Sequence, residues 1–219
     1  MARARVKNSP NPNGVMRQAL KRIRLFATDV DGVLTDGGMY YAESGDELKK
    51  FNTRDGMGIK LLQRAGLVTA LITQEETKLV ARRGEKLAIP EIHQRVFDKL
   101  SRLRDIAARH QIALEDVAYM GDDVNDLETL QAVGFSATPA DGVASVRKKV
   151  TYVCRVKGGE GAVREVADMI LAAQAGSSED LWFRTAGKIV RGSKFEVRSS
   201  SDRNKAVEVR HSPKSGQEG

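Results

Sequence analysis

A pair of aspartates near the start of the chain has the spacing and the position of a reactive site. Asp29 and Asp31 follow a short apolar run at 25–27, and Gly32 comes directly after them. An apolar run that ends near a glycine is typical of a buried strand, and open α/β sheets bind ligands where their strands end. Two carboxylates this close repel each other unless a cation or a shared proton lies between them. The pair therefore predicts a site for a hard cation with oxygen ligands, such as Mg²⁺, rather than a solvated acidic loop.

Other polar residues stand at the ends of further predicted elements. Thr73 follows the apolar run 67–72, and Asp122 and Asp123 follow the run 117–120 after one glycine. Lys99 stands at the start of a predicted helix. In a doubly wound sheet these positions converge at one edge. Carboxylates, a hydroxyl, an ammonium group and a bound metal together suit phosphoryl transfer, in which a carboxylate can be the nucleophile.

The elements that must position these residues alternate along the chain. Apolar runs predict strands, the clearest at 25–28, 67–72, 92–96 and 117–120, and periodic segments between them predict helices. This alternation predicts an α/β fold with a doubly wound parallel sheet that helices cover on both faces. Two short runs around a turn at 38–51 predict a β-hairpin directly after the carboxylate pair. It would project over the pocket as a flap, although an ordinary edge hairpin fits the same pattern.

Charge is distributed unevenly along the chain, which has a formal net charge of +7. Residues 1–24 carry seven basic and no acidic residues, and residues 176–219 carry nine basic and six acidic residues, so the part between has a net charge of −3. A nucleic-acid-binding core would present a basic face, and we therefore expect no nucleic-acid partner. Composition predicts a basic N-terminal segment at 1–22 that is disordered up to about residue 14 and could form a short helix after it, an α/β domain at 23–174 and a mostly disordered tail at 175–219.

Cysteine usage and hydropathy limit the environments that suit the chain. Cys154 is the only cysteine, which excludes a disulfide framework and a cysteine-based zinc site. No apolar run approaches the length of a membrane span, and the first residues lack the apolar region of a signal peptide. We therefore expect a cytoplasmic protein with no membrane partner.

The motifs in this order resemble those of the haloacid dehalogenase superfamily of phosphatases. Residues 29–35 resemble its first motif, Thr73 its second, Lys99 its third and residues 121–123 its fourth, over about residues 23–174. The hairpin and the lack of a large cap insertion are similar to the capless branch of this superfamily. That branch contains phosphatases of 3-deoxy-octulosonate 8-phosphate and of nonulosonate 9-phosphates.

The resemblance implies a mechanism and a metal site. Asp29 would attack phosphorus, and Asp31 would protonate the leaving sugar oxygen and then activate water against the aspartyl-phosphate. Mg²⁺ would be held by Asp29, the backbone carbonyl of Asp31 and Asp122.

Four further residues receive roles from the same resemblance. Thr73 and Lys99 would bind phosphate oxygens, and Asp123 and Asp126 would support the residues around the metal. Members of this branch are typically tetramers in which hairpins and C-terminal loops help to close a neighbour's site. The resemblance therefore also implies a homotetramer.

Two residues depart from the pattern of the octulosonate enzymes. Gln74 stands where the family usually has glycine after the second-motif threonine, and a side chain there would restrict the backbone close to the phosphate. Glu75 replaces the usual arginine and is more similar to the nonulosonate enzymes. At about 100° per residue, Glu75, Arg83 and Lys86 would share one helix face, either as substrate contacts or as a solvated surface.

The predicted substrate is a small phosphorylated sugar acid. Cationic groups such as Arg54, Arg83 and Lys86 would favour a carboxylate on the sugar. We expect 3-deoxy-D-manno-octulosonate 8-phosphate first and a nonulosonate 9-phosphate as the alternative. Two other classes compete: a signalling receiver domain, whose paired acids are usually adjacent, and a non-catalytic interaction module that functions through its basic tails.

Overall fold

The computed structural model describes residues 12–182, and these residues alternate between strands and helices. The helices are α1 Pro12–Arg22, α2 Thr53–Arg64, α3 Lys78–Lys86, α4 Lys99–Arg109, α5 Leu127–Ala132, α6 Ala144–Arg147 and α7 Ala162–Gln174. The strands are β1 Leu25–Thr28, β2 Tyr40–Tyr41, β3 Glu47–Leu48, β4 Val68–Ile72, β5 Glu91–His93, β6 Val117–Met120, β7 Phe135–Thr138 and β8 Tyr152–Val153.

Six strands form one parallel sheet in the order β5-β4-β1-β6-β7-β8. The chain runs from β1 through β4 to β5, then returns to β6 on the other side of β1 and continues outward to β8. The order of the strands therefore reverses between β1 and β6, and such a switch point opens a crevice at the carboxyl ends of the strands. The predicted α/β fold with a doubly wound parallel sheet is confirmed.

The two faces of the sheet pack against different helices. Phe26 belongs to a buried cluster with residues of α1, α2, α3 and α7, whereas Leu25 and Ala27 belong to a second cluster with residues of α4, α5 and α6. This division follows from the alternation of side chains along a strand. Because both faces are covered, the strands at the centre of the sheet are apolar and fully buried.

The predicted hairpin flap is present directly after β1. Strands β2 and β3 pair antiparallel, with Tyr40 opposite Leu48, and form a small sheet of their own. Its base is closed by a bridge between Thr35 and Phe51, and its strand residues are exposed. The Tyr40 hydroxyl donates to Asp36 Oδ2 at 2.6 Å and so ties the flap to the loop that follows β1. Within residues 12–182, the flap is the only insertion between β1 and α2, so no cap domain covers the sheet there.

The packed region extends beyond the predicted bounds of 23–174. Leu20 of α1 is buried against α7, and the Gln174 side chain donates to the carbonyls of Leu20 and Ile23 at 2.9 and 2.8 Å. At the other end, Leu181 is 7% exposed and joins the same apolar cluster. The disorder predicted for 1–11 and 183–219 falls outside the described residues. Across residues 12–182, no helix has the length and apolar character needed to cross a bilayer.

Candidate active site

The carboxyl ends of β1, β4 and β6 surround a cavity of about 460 Å³. Its lining brings together most of the residues that the sequence singled out, namely Asp29, Asp31, Thr73, Gln74, Glu75, Asp122 and Asp123. These residues come from three loops that are far apart in the chain, and the switch point of the sheet places the loops side by side. The structure thus assembles the acidic pairs and the threonine in one cavity.

Asp29 lies at the floor of this cavity and is 6% exposed. Its backbone N–H donates to the Met120 carbonyl at 2.9 Å, which continues the pairing of β1 with β6. Its Oδ1 accepts from the Val30 N–H at 2.7 Å, and its Oδ2 lies 2.8 Å from Lys99 Nζ. Burial, and then the Asp126 carboxylate, raise the pKa of Asp29 to about 7, while Lys99 opposes this shift. A further positive charge is needed to keep Asp29 fully ionised at neutral pH.

Lys99 connects the nucleophile candidate to a buried acid behind it. Its side chain is 1% exposed, and Nζ lies 2.8 Å from both Asp29 Oδ2 and Asp126 Oδ1. Burial alone would lower the pKa of Lys99, but these two carboxylates outweigh burial and raise it, so the ammonium form is retained. Tyr119, fully buried on β6, donates its hydroxyl to Asp126 Oδ1 at 2.6 Å. The charges in this row alternate, which is the condition for burying them.

Asp122 meets the loop after β1 from the opposite side. Gly32 has φ of +80°, and a Cβ there would lie 2.1 Å from Asp122 Oδ2, so only glycine allows this approach. Oδ1 of Asp122 is buried and accepts no hydrogen bond within the described part of the chain. Burial, followed by the carboxylates of Asp29 and Asp126, raises the pKa of Asp122 to about 7. A buried carboxylate oxygen without a donor is an oxygen that a cation can satisfy.

A metal ion fits between Asp29 and Asp122. Carboxylate oxygens of Asp29, Asp122 and Asp126 lie within 4.8 Å of one another. Those of Asp126 already accept from Lys99, Tyr119 and the Asp122 N–H, so Asp126 supports the site rather than facing the ion. The ligand set has only oxygen atoms, which suits a hard cation. The Asp31 carboxylate is not part of this group, and its predicted role as a ligand concerns its backbone carbonyl.

Asp123 lies at the rim of the cavity and organises the backbone there. Its side chain caps the 3₁₀ turn Val124–Asp126 by accepting from the Val124 N–H at 2.6 Å. The Asp126 side chain in turn faces the Asp123 N–H, which completes a capping box. Asp123 therefore fixes the loop that carries Asp122.

Asp31 lines the cavity and contacts the flap. Its Oδ1 accepts from Thr35 Oγ1 at 3.3 Å and from Lys49 Nζ at 2.5 Å. Its Oδ2 is buried and has no hydrogen-bond partner among residues 12–182. Asp31 is thus held through Oδ1, while Oδ2 is buried and unpartnered within this part of the chain.

Thr73 and Gln74 form the wall of the cavity after β4. The Thr73 N–H donates to the His93 carbonyl and its carbonyl accepts from the Val96 N–H, both at 3.0 Å, so the neighbouring loop fixes its backbone. The backbone of Gln74 does not have the positive φ that favours glycine. Within residues 12–182, the non-glycine residues with positive φ are Ala88, Arg95 and Gln111. The side chain of Gln74 is therefore accommodated without backbone strain.

The predicted substrate contacts are only partly brought together. Glu75 lines the cavity. Arg54, in contrast, lies beside Glu160 and Arg164 on another surface. Arg83 donates to the Asn52 carbonyl at 2.9 Å, and Lys86 is exposed near the end of α3. Contact of these three cations with substrate stays a prediction.

The prediction that Glu75, Arg83 and Lys86 share a helix face is wrong. Helix α3 begins at Lys78, after Thr77 accepts from the Val80 N–H through its hydroxyl. Glu75 therefore precedes the helix, and the 100° periodicity does not apply to it. A threonine three residues before an apolar position is a start signal that the sequence already contained.

Two residues of the site escaped the sequence analysis. Tyr119 looked like an ordinary buried strand residue, although a buried tyrosine hydroxyl usually has a hydrogen-bond partner. Lys49 is one of two adjacent lysines on the flap, and composition does not say which of them turns inward. Both residues contact acids that the sequence did single out.

The loop before α7 packs directly on the loop that carries Asp31. The Gly159 N–H donates to the Val33 carbonyl at 3.0 Å. A Cβ on Gly158 would lie 1.9 Å from the Gly32 carbonyl oxygen, so no side chain fits there. Asp55 of α2 secures this contact, because its Oδ1 accepts from the Arg164 N–H at 2.9 Å in the first turn of α7.

Comparison with known proteins agrees with this geometry. A family model described as haloacid dehalogenase-like hydrolase matches residues 68–166. The 3-deoxy-D-manno-octulosonate 8-phosphate phosphatase of Yersinia pestis is 44% identical over 157 residues, which are 72% of this chain and 84% of that protein.

Solved structures are similar in fold as well as in sequence. The Moraxella catarrhalis octulosonate phosphatase, solved with magnesium, phosphate and the sugar, is 36% identical with a TM-score of 0.71 over 80% of this chain and 96% of that one. The cobalt-bound enzyme of Haemophilus influenzae is 36% identical with a TM-score of 0.71 over 79% and 99%. With motifs, fold and relatives in agreement, the chain belongs to the haloacid dehalogenase-like hydrolases, in their capless branch of octulosonate phosphatases.

Proposed function

We propose that the protein is a Mg²⁺-dependent phosphatase that hydrolyses 3-deoxy-D-manno-octulosonate 8-phosphate, a step of lipopolysaccharide biosynthesis. The observation that carries the proposal is the cavity that Asp29, Asp31 and Asp122 line together, with Lys99 2.8 Å from Asp29 behind it. Relatives at 44% and 43% identity that have this activity support the choice of substrate.

The metal site would use Asp29, the backbone carbonyl of Asp31 and Asp122. When bound, Mg²⁺ supplies positive charge that screens the phosphate oxygens and favours the ionised form of Asp29. The buried, unpartnered Oδ1 of Asp122 supports this assignment, since nothing else in the described structure satisfies it.

In the first step Asp29 attacks phosphorus and the bond between phosphorus and the sugar oxygen breaks. Its Oδ2 lies 2.8 Å from Lys99 Nζ, and Lys99 and Thr73 would bind the phosphate oxygens as the phosphoryl group moves. Asp31 gives a proton to the departing oxygen, so the sugar leaves as an alcohol. The product on the enzyme is an aspartyl-phosphate at Asp29.

In the second step water replaces Asp29 on phosphorus. Asp31, which is now a carboxylate, takes a proton from that water, and the bond between Asp29 and phosphorus breaks. Inorganic phosphate leaves and Asp29 is regenerated. Asp31 thus serves first as an acid and then as a base, because the leaving sugar oxygen and the attacking water oxygen occupy the same position in turn.

The test is phosphate release from the octulosonate 8-phosphate by the full chain, with Mg²⁺ and with excess chelator. We expect turnover with Mg²⁺ only, and loss of almost all turnover in Asp29→Asn and in Asp31→Asn. Asp105→Asn, an exposed change on α4, is the matched control and should retain activity. Near-normal turnover by Asp29→Asn, or equal activity on neutral hexose phosphates, would overturn the proposal.

A nonulosonate 9-phosphate is the second candidate substrate. Its support is Glu75, an acid that lines the cavity where the octulosonate enzymes usually have arginine. The ratio of kcat/KM on the two sugar phosphates decides between them.

We further propose that the chain functions as a homotetramer in the cytoplasm. Large apolar side chains of the flap are exposed, at 43% for Tyr40, 67% for Tyr41 and 61% for Leu48. Covering them with neighbouring subunits would remove this apolar surface from water and bring further cations, such as Arg54, to a neighbour's cavity. Sedimentation should give a tetramer for the wild type, and Leu48→Asp should lower both the mass and the activity.

A further inference from the structure

Among flap residues 39–50, Lys49 is the only one that is not exposed. Its side chain is 3% exposed, whereas Lys50 next to it is 58% exposed and Leu48 before it is 61% exposed. A lysine on a two-stranded hairpin would ordinarily extend into water, because its ammonium group is strongly hydrated. Its burial therefore requires partners that compensate for the lost hydration.

The partners are two carboxylates from different loops of the cavity. Lys49 Nζ lies 2.5 Å from Asp31 Oδ1 and 2.7 Å from Glu75 Oε2. Asp31 follows β1 and Glu75 follows β4, so a single ammonium group connects the flap to two sides of the site. Hydrogen bonds between charged groups at these distances are among the stronger polar interactions in proteins.

These contacts divide the two oxygens of Asp31. Oδ1 is committed to Lys49 and Thr35, while Oδ2 has no partner within residues 12–182. A carboxyl group can deliver a proton productively only from an oxygen that faces the reacting atom. Since Oδ2 is buried, the contacts at Oδ1 fix how the Asp31 carboxyl group faces the cavity.

We propose that Lys49 is a positioning residue, through which the docked flap orients Asp31 for proton transfer to the leaving oxygen. The inference rests on the role of Asp31 in the proposed function. Glu75 contributes to this positioning, because its carboxylate contacts the ammonium group of Lys49 from the other side. Lys49 itself does not contact the reacting atoms.

The test uses two substrates that differ in their need for a proton. The sugar leaves from its phosphate as an alcohol and requires protonation, whereas p-nitrophenolate leaves readily without it. In Lys49→Met, we expect kcat/KM to fall at least about tenfold more for the octulosonate 8-phosphate than for p-nitrophenyl phosphate, within the range that general acids contribute. Inhibition by inorganic phosphate should stay unchanged, because Thr73 and Lys99 are untouched.

Two companion variants separate positioning from folding. Lys50→Met removes the adjacent, exposed flap lysine and should leave both substrates unaffected. Lys49→Arg retains the charge and should recover part of the loss on the sugar phosphate. If Lys49→Met fails to fold, as judged by its thermal unfolding, the same comparison is made with Lys49→Gln.

Equal losses on the two substrates would overturn the inference, as would no loss on either. Failure of the wild type to hydrolyse any phosphate ester would instead overturn the proposed function. A wild type that is active on the sugar phosphate, with a selective loss in Lys49→Met, supports both.

Discussion

At the scale of single residues, the carboxylates of the site outnumber the cations that contact them. Asp29, Asp122 and Asp126 crowd together, and Lys99 is the cation that reaches two of them. The raised pKa values of Asp29 and Asp122 result from this shortage together with burial. A metal ion and a proton therefore compete for the same oxygens.

This competition predicts how stability depends on pH. The pKa of Asp122 is raised from 3.8 to about 7, so between about pH 4 and pH 7 the folded, metal-free protein holds a proton that the unfolded chain releases. This proton stabilises the folded, metal-free protein. Its contribution to the free energy of unfolding is complete below about pH 4 and is lost as the pH rises to about 7. Mg²⁺ should accordingly raise the thermal midpoint more at pH 8 than at pH 6.

Thermal unfolding in chelator and in Mg²⁺ at the two pH values measures this effect. Asp122→Asn is the control, because it removes the titrating carboxylate and should abolish most of the difference. An equal gain from Mg²⁺ at both pH values in the wild type would contradict the prediction.

Glu75 allows a second prediction at this scale. Glu75→Arg would place a guanidinium group where Lys49 now finds a carboxylate 2.7 Å away. If Glu75 reads the longer sugar, the change should shift the ratio of kcat/KM toward the eight-carbon substrate, measured on both sugar phosphates. Glu76→Arg, an exposed neighbour, is the matched control, and an unchanged ratio would show that Glu75 does not select the sugar.

At the scale of elements, sequence patterns located the strands better than the helix starts. The run 117–120 is β6 in full, since buried parallel strands are continuous apolar runs. Helix α3, in contrast, begins at Lys78 and leaves out Glu75, which was predicted to share its face, because the Thr77 cap starts the helix later. Asp29, Asp31, Thr73 and Asp122 could be found from sequence because each follows a strand. Lys49 could not, since its inward turn depends on how the flap docks.

Helix α7 depends on a residue of another helix for its start. Gly161 at its N-terminal cap offers no side chain, and the Asp55 carboxylate of α2 accepts from the Arg164 N–H instead. Asp55→Ala should lower the free energy of unfolding by about 1–2 kcal/mol, the usual cost of losing a cap. Urea unfolding measures this change, with Asp105→Ala as the exposed control. A loss no greater than that of the control would show that water replaces the cap.

At the scale of the whole molecule, the segment after α7 is part of the fold. Residues 178–182 are helical, Leu181 is buried, and the Arg64 guanidinium lies 4.1 Å from the centre of the Trp182 ring. Composition predicted a tail from residue 175 because a short apolar cluster among polar residues has no periodicity. Docking of such a cluster depends on the surface that α2 and α7 leave uncovered, which a local pattern does not contain.

Two truncations test this boundary. A chain that ends after Trp182 retains the Leu181 contacts, whereas one that ends after Gly176 loses them. We expect the shorter chain to be less stable by about 2 kcal/mol, the lower end of the cost of deleting a buried leucine. Comparing the two chains by urea unfolding isolates residues 177–182, and equal midpoints would contradict the docking of Leu181.

The contact of Gly158 and Gly159 with the loop after β1 has a consequence for the order of events on the ribosome. Asp29 and Asp31 are made early, but the loop that packs on Gly32 and Val33, directly after them, is made near the end of the domain. A nascent chain therefore carries both aspartates long before their surroundings exist. We therefore expect a chain that is interrupted before this loop to be inactive rather than partly active.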